Sequence, residues 1–143
     1  MGDLRGRSIR TLAWLGDAEF EREVRYRLAR RGDYPSDRLD AMKTRVVRAE
    51  AQAGLLQQLL ASLTPEELDV VRRGRNAAAP SAARGGRRRT QDYRAATGLE
   101  ALIARWCLDG EPGRERMHHV LGPALDLAID RAVEAEARRP RRG

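Results

Sequence analysis

Ser8-Ile9-Arg10-Thr11-Leu12-Ala13-Trp14-Leu15-Gly16-Asp17-Ala18-Glu19-Phe20 is the stretch whose reading decides the fold. Ser8 has the side chain of a helix N-cap, and Ile9, Leu12, Ala13, Gly16, Phe20, Val24 and Leu28 then recur at spacings of three and four. That period draws one apolar stripe along a long helix ending near Gly32. Tyr34-Pro35 makes a connection, and Ser36 can cap a second helix with the stripe Leu39, Met42, Val46, Ala49, Ala53, Leu56, Leu60. Gly54 loosens that helix, but no proline stops it. Thr64-Pro65-Glu66-Glu67 is a capping box with proline at the first helical position; it opens a short helix ending at Gly74.

A fourth helix is expected from about Tyr93 to Leu108, with Leu99, Leu102, Ile103 and Trp106 inward. After a break at Gly110, Pro112 and Gly113, a last helix carries Met117, Val120, Leu121, Ala124, Ala128, Ile129 and Val133, with a kink at Gly122-Pro123. Residues 76–90 hold Pro80, Gly85, Gly86, five alanines and four arginines with no apolar period, which reads as a mobile cationic loop. No run of alternating β-branched residues occurs. The expectation is an all-α helical bundle forming one domain over residues 1–137, with a basic disordered tail over 138–143.

With 143 residues the chain suits one compact domain rather than two. Its 41% apolar and 34% charged residues let it bury a core and stay soluble. No apolar run approaches the ~20 residues of a membrane span, and Met1 to Arg10 lack the apolar centre of a signal peptide. A single cysteine, Cys107, excludes an internal disulfide and a thiolate metal cluster, so a reducing cytoplasm is the expected location. Aromatic content of 4% argues against an RNA-binding sheet of stacking rings.

The placement of charge is more informative than its total of +7. Arg72, Arg73, Arg75, Arg84, Arg87, Arg88, Arg89 and Arg94 lie within 23 residues opposed by one acid, Asp92, and the remainder of the chain is balanced. Such clustering suits a polyanion held through its phosphates, by bidentate guanidinium contacts and counterion release. The bland alternative is a solvated linker without a ligand.

Two acids stand out. Asp17 follows Gly16 on the flank of the first apolar stripe, and Glu100 lies between Leu99 and Ala101. A glycine there costs up to ~1 kcal/mol of helix stability relative to alanine, which points to close approach of another element. Two half-buried carboxylates repel unless a cation lies between them. A hard Mg²⁺ ion would serve and could activate water at a phosphodiester; taken alone, each acid also reads as an ordinary surface or ion-paired group. His118 and His119 are adjacent and diverge by about 100° on a helix, so they read as surface groups. Cys107 reads as a small buried hydrophobe, and no glycine-rich nucleotide fingerprint is present.

Leu12-Ala13-Trp14-Leu15-Gly16-Asp17-Ala18 resembles the signature helix of the ribonuclease III endonuclease domain, and Leu99-Glu100-Ala101-Leu102-Ile103 with Leu108-Asp109-Gly110 resembles its second catalytic helix. Val71-Arg72-Arg73-Gly74-Arg75-Asn76-Ala77, the basic loop, Tyr93-Arg94 and Val47-Arg48-Ala49-Glu50-Ala51-Gln52-Ala53 narrow the likeness to the short branch, Mini-ribonuclease III, which has no separate double-stranded-RNA-binding domain. The likeness covers roughly residues 8 to 125.

The resemblance implies an all-helical homodimer that cuts double-stranded RNA with Mg²⁺ and acts in maturation of large-subunit (23S) ribosomal RNA precursors. It assigns Asp17 and Glu100 as catalytic metal ligands and Trp14 as an aromatic across the dimer interface. Arg72, Arg73, Arg75, Asn76, Arg84, Arg87, Arg88, Arg89 and Arg94 are the expected RNA contacts. Full-length relatives have acids where this chain has Ala13 and Thr97, so the expected site is poor in carboxylates. Glu19 reads as a surface group, with a third acid near the metal as the alternative. A non-catalytic duplex-binding or ribosome-assembly protein is the runner-up, and a helical protein meeting an acidic partner is the third reading.

Overall fold

The computed structural model describes residues 2–78 and 86–140. Seven α-helices are present among them: α1 (Ile9–Arg31), α2 (Ser36–Val47), α3 (Ala49–Leu59), α4 (Pro65–Ala77), α5 (Arg87–Leu108), α6 (Gly110–Val120) and α7 (Gly122–Ala137). No strand occurs among the described residues, so the all-α expectation holds.

The helix α5 is the hub. Leu99, Ala101, Leu102 and Ile103 are wholly buried, and the helix packs against α1, α3, α4 and α6. An amphipathic helix hides one stripe; a helix apolar nearly all round must be surrounded. The stripe of α1 behaves as its spacing predicts, burying Leu12, Ala13, Gly16, Phe20, Val24 and Leu28. Ser8 caps it by accepting from the Thr11 amide.

Two glycine contacts set the helix spacing. A Cβ on Gly16 would sit 1.7 Å from the carbonyl oxygen of Glu100, so α1 and α5 touch backbone to backbone there. A second close approach to α5 is made by α4, where a Cβ on Gly74 would lie 2.8 Å from the Gly98 Cα. No side chain fits at either crossing without separating the helices.

Several boundaries differ from expectation. The second helix is not continuous: Arg48 is extended (φ −61°, ψ 153°) and separates α2 from α3. The Gln52 side-chain amide donates to the freed Val47 carbonyl at 2.8 Å, which satisfies the break. Through it α2 packs on α7 while α3 packs on α5. Pro35, not Ser36, holds the cap position of α2.

The helix α4 runs past Gly74 to Ala77, and α5 begins at Arg87, not Tyr93. The stretch 76–90 is therefore not a loop throughout. Gly86, at φ +92°, takes a left-handed conformation open to glycine and caps α5, and Thr90 Oγ1 donates to the Gly86 carbonyl at 3.1 Å. Residues 79–85, including Arg84, lie outside the described residues, as do the side chain of Arg88 and residues 141–143 of the expected tail. Pro112 and Gly113 fall inside α6, which begins at Gly110. The kink expected at Gly122-Pro123 is a full junction at Leu121 between α6 and α7.

The capping box of α4 forms as its sequence predicts: Thr64 Oγ1 accepts from the Glu67 amide and Glu67 Oε1 accepts from the Thr64 amide at 2.9 Å. Glu67 then does more than cap. It accepts from the Trp106 indole at 2.6 Å and from two nitrogens of Arg116, tying α4 to α5 and α6. Burial opposes its ionisation, but Arg116, the Thr64 amide and the indole outweigh that and hold the carboxyl at about 2.

Two predictions follow from this packing. Gly16→Ala is expected to lower stability by about 1–3 kcal/mol in urea unfolding, as overpacking does; unchanged stability would mean that α1 and α5 are not in backbone contact. Because Glu67 has a depressed pKa in the folded chain, its contribution is complete above the unfolded value near 4.5 and is lost as pH falls toward 2. Glu67→Gln should therefore destabilise at pH 7 and converge on the parent protein between about pH 4.5 and 2, as read by melting temperature.

Candidate active site

Backbone contact at Gly16 carries the next residue, Asp17, to the side chain of Glu100. The two carboxyls are close enough to hydrogen-bond when one of them holds a proton. Asp17 is exposed and Glu100 half-buried. Burial first, and then the Asp17 carboxylate beside it, push Glu100 up to about 8. Glu100 thus holds its proton near neutrality, the response of a carboxyl in a partly dry site beside a like charge.

The opposing influence on Glu100 is the nearby Gln52 side chain, which favours its charged form. Gln52 is buried at 4% exposure, an unusual place for an amide. Its Nε2 caps the break between α2 and α3, and its Oε1 is buried without a partner. Sequence reading gave Gln52 no role, because the break that aims its side chain is invisible in the apolar period. A glutamine on the core stripe of α3 was the available signal.

Among the described residues no group of three or more His, Cys, Asp and Glu side chains is placed to hold a metal. The donors present are two carboxylates, with an unpaired amide oxygen buried beside them. Two hard oxygen ligands fit a hydrated divalent cation that keeps water and takes phosphate oxygens in its remaining positions. Such a cation would also relieve the repulsion between the acids. Thr97 Oγ1 is turned back onto the Tyr93 carbonyl at 3.0 Å and adds no charge.

Glu19 belongs to another neighbourhood. It lies 3.8 Å from Arg114 and accepts from Cys107 Sγ at 3.6 Å. Cys107 is buried, and burial with the nearby Glu19 charge pushes its thiol up to about 12, as suits an inert core group. His118 contacts Glu23 at 3.0 Å, and His119 is exposed.

The described members of the expected RNA contacts lie in the C-terminal half of α4 and the first turns of α5. Arg72, Arg73, Arg75, Asn76, Arg87 and Arg89 are exposed there. Arg94 is half-buried, with its Nε shielded and unpaired, unlike a freely solvated contact. Trp14 is 74% exposed, more than any other large apolar side chain described, on the turn of α1 before Asp17. Asp17→Asn is expected to bring Glu100 down from about 8 toward the ordinary carboxyl range, because the charge opposing its ionisation is gone. Carboxyl NMR titration of the metal-free protein checks this, and an unmoved Glu100 would separate the two groups.

The Ribonuclease III domain profile matches residues 10–111, which span both acids. The chain is similar to Mini-ribonuclease 3 of Symbiobacterium thermophilum, with 44% identity over 117 residues, 82% of this chain and 87% of that protein. It is similar also to Mini-ribonuclease 3 of Brevibacillus brevis, with 44% identity over 116 residues, 81% of this chain and 84% of the relative. A crystal structure of a Fusobacterium nucleatum protein superimposes with a TM-score of 0.72 at 25% identity, covering 87% of this chain and 98% of that one. With profile, relatives of like length and helical architecture in agreement, the chain belongs to the ribonuclease III family of double-strand-specific endoribonucleases.

Proposed function

We propose that the protein cleaves double-stranded RNA with Mg²⁺ held at Asp17 and Glu100, as a homodimer, in maturation of the large-subunit (23S) ribosomal RNA precursor in the cytoplasm. The observation that carries this reading is the pairing of the two acids across the Gly16 contact, where burial and the Asp17 charge both oppose ionisation of Glu100. The relatives named Mini-ribonuclease 3 support the activity class.

When bound, Mg²⁺ supplies a Lewis acid and an activated water at the phosphodiester. The chain's own residues prepare that position. Gly16 sets how closely Asp17 meets Glu100, and Gln52 favours the ionised form of Glu100 that a ligand must adopt. Exposed arginines in the C-terminal half of α4 and the first turn of α5 hold the phosphates flanking the cut. A-form duplexes present phosphates and 2′-hydroxyls with little sequence information, so recognition is by shape and backbone. A two-fold dimer joined through Trp14 would direct one acid pair at each strand.

Asp17→Asn should reduce cleavage of a long RNA duplex in Mg²⁺ by at least about 10²-fold while leaving duplex affinity nearly unchanged, as removal of a metal-held step does. Raising salt from 50 to 200 mM should weaken duplex binding steeply, by ~10³-fold if about six phosphates are neutralised. Binding without cleavage by the parent protein at low salt would favour the non-catalytic duplex-binding reading.

A further inference from the structure

By sequence the net charge lies wholly between Arg72 and Arg94. Folding builds a second basic cluster that no linear stretch contains. Arg22, Arg27 and Arg30 of α1 meet Arg114 and His118 of α6 around an open cavity of about 550 Å³, which Glu23 and Tyr26 also line.

The acids nearby do not neutralise it. Glu23 is buried at 7% exposure and is taken up by Arg27 and His118, each at 3.0 Å. Arg27 is further bound to Asp126 at 2.8 Å. Arg22 reaches only 3.7 Å from the other Glu23 oxygen, and Arg114 lies 3.8 Å from Glu19. Arg22 and Arg30 are both exposed. Among the described residues no carboxylate lies within 4 Å of Arg30.

Tyr26 organises the two exposed guanidiniums. Arg22 Cζ lies 4.7 Å and Arg30 Cζ 5.7 Å from its ring centroid, within cation–π range. One ring thus holds two like charges one helical turn to either side of it, and an anion between or above them would relieve their repulsion beyond what solvent screening does. Arg114 approaches the same cavity from α6. Guanidiniums converging from two helices suit a tetrahedral phosphate, whose oxygens point in several directions, better than a planar carboxylate, which one fork satisfies.

We propose that this cavity binds the phosphate group of a single RNA strand or a free nucleotide. It is separate from the Asp17 site. Tyr26 lies nine residues after Asp17, roughly 180° around α1 and ~14 Å along it, so the two features face opposite flanks of one helix.

The test uses the full chain in EDTA with a fluorescein-labelled single-stranded octaribonucleotide followed by anisotropy, and ADP as competitor. Arg22→Glu/Arg30→Glu should weaken octanucleotide binding about tenfold or more through loss of phosphate contacts, with melting temperature and duplex affinity unchanged. Tyr26→Leu, which keeps every charge but frees the guanidiniums, should weaken it by a smaller factor. Competition by ADP that the double variant abolishes would assign the phosphate to free nucleotides, and no competition would assign it to an RNA strand. Octanucleotide binding by the double variant equal to that of the parent would overturn the proposal. Displacement by poly-glutamate as effective as by RNA of equal charge would overturn it in favour of an acidic protein partner.

Discussion

Where α1 crosses α5, the Gly16 backbone rests on the Glu100 carbonyl, and no side chain larger than hydrogen can occupy that crossing. The contact sets the distance between the helices, brings Asp17 to Glu100 and seats α5 deep enough to bury Leu99 and Ile103 completely. One steric constraint thus serves both core and site. It also has a cost. A carboxyl raised to about 8 in the folded chain opposes folding as pH climbs from the unfolded value near 4.5 through 8. A half-buried carboxyl beside a like charge is therefore a liability to stability, and a cation between the acids would turn it into a favourable contact.

The rest of the bundle isolates that liability. Glu67, also an acid against α5, is the opposite case: four donor groups surround it and its charge binds three helices together. The contrast separates a structural carboxylate from one available to a ligand. Arginines of the C-terminal half of α4 and the first turn of α5 are exposed, where guanidiniums keep their hydration and stay open to an anion.

Much of this was legible in the chain. The stripe from Ile9 to Leu28, the Thr64–Glu67 capping box and the close approach signalled by Gly16 are local patterns with one physical meaning each, and the folded chain uses all three. The break at Arg48 was not legible, because the apolar period continues through it and only the Gln52 side chain, folded back on Val47, satisfies it. The start of α5 at Arg87 was hidden by Gly85 and Gly86, which read as a loop although one of them caps the helix. The gathering of Arg22 and Arg30 with Arg114 depends on α6 being held beside α1 by α5 and α7, a tertiary event outside any window of sequence. Carboxylate pairing came from resemblance as well as from residue type, since neither acid alone departs from an ordinary surface group.

Substoichiometric Mn²⁺ added to the isotopically labelled protein, with amide NMR signals followed residue by residue, tests the central claim most directly. Signals flanking Asp17 and those flanking Glu100 should broaden together, before any others, because one ion sits within reach of both. Broadening around only one of the two acids, or first around a different part of the bundle, would contradict the account.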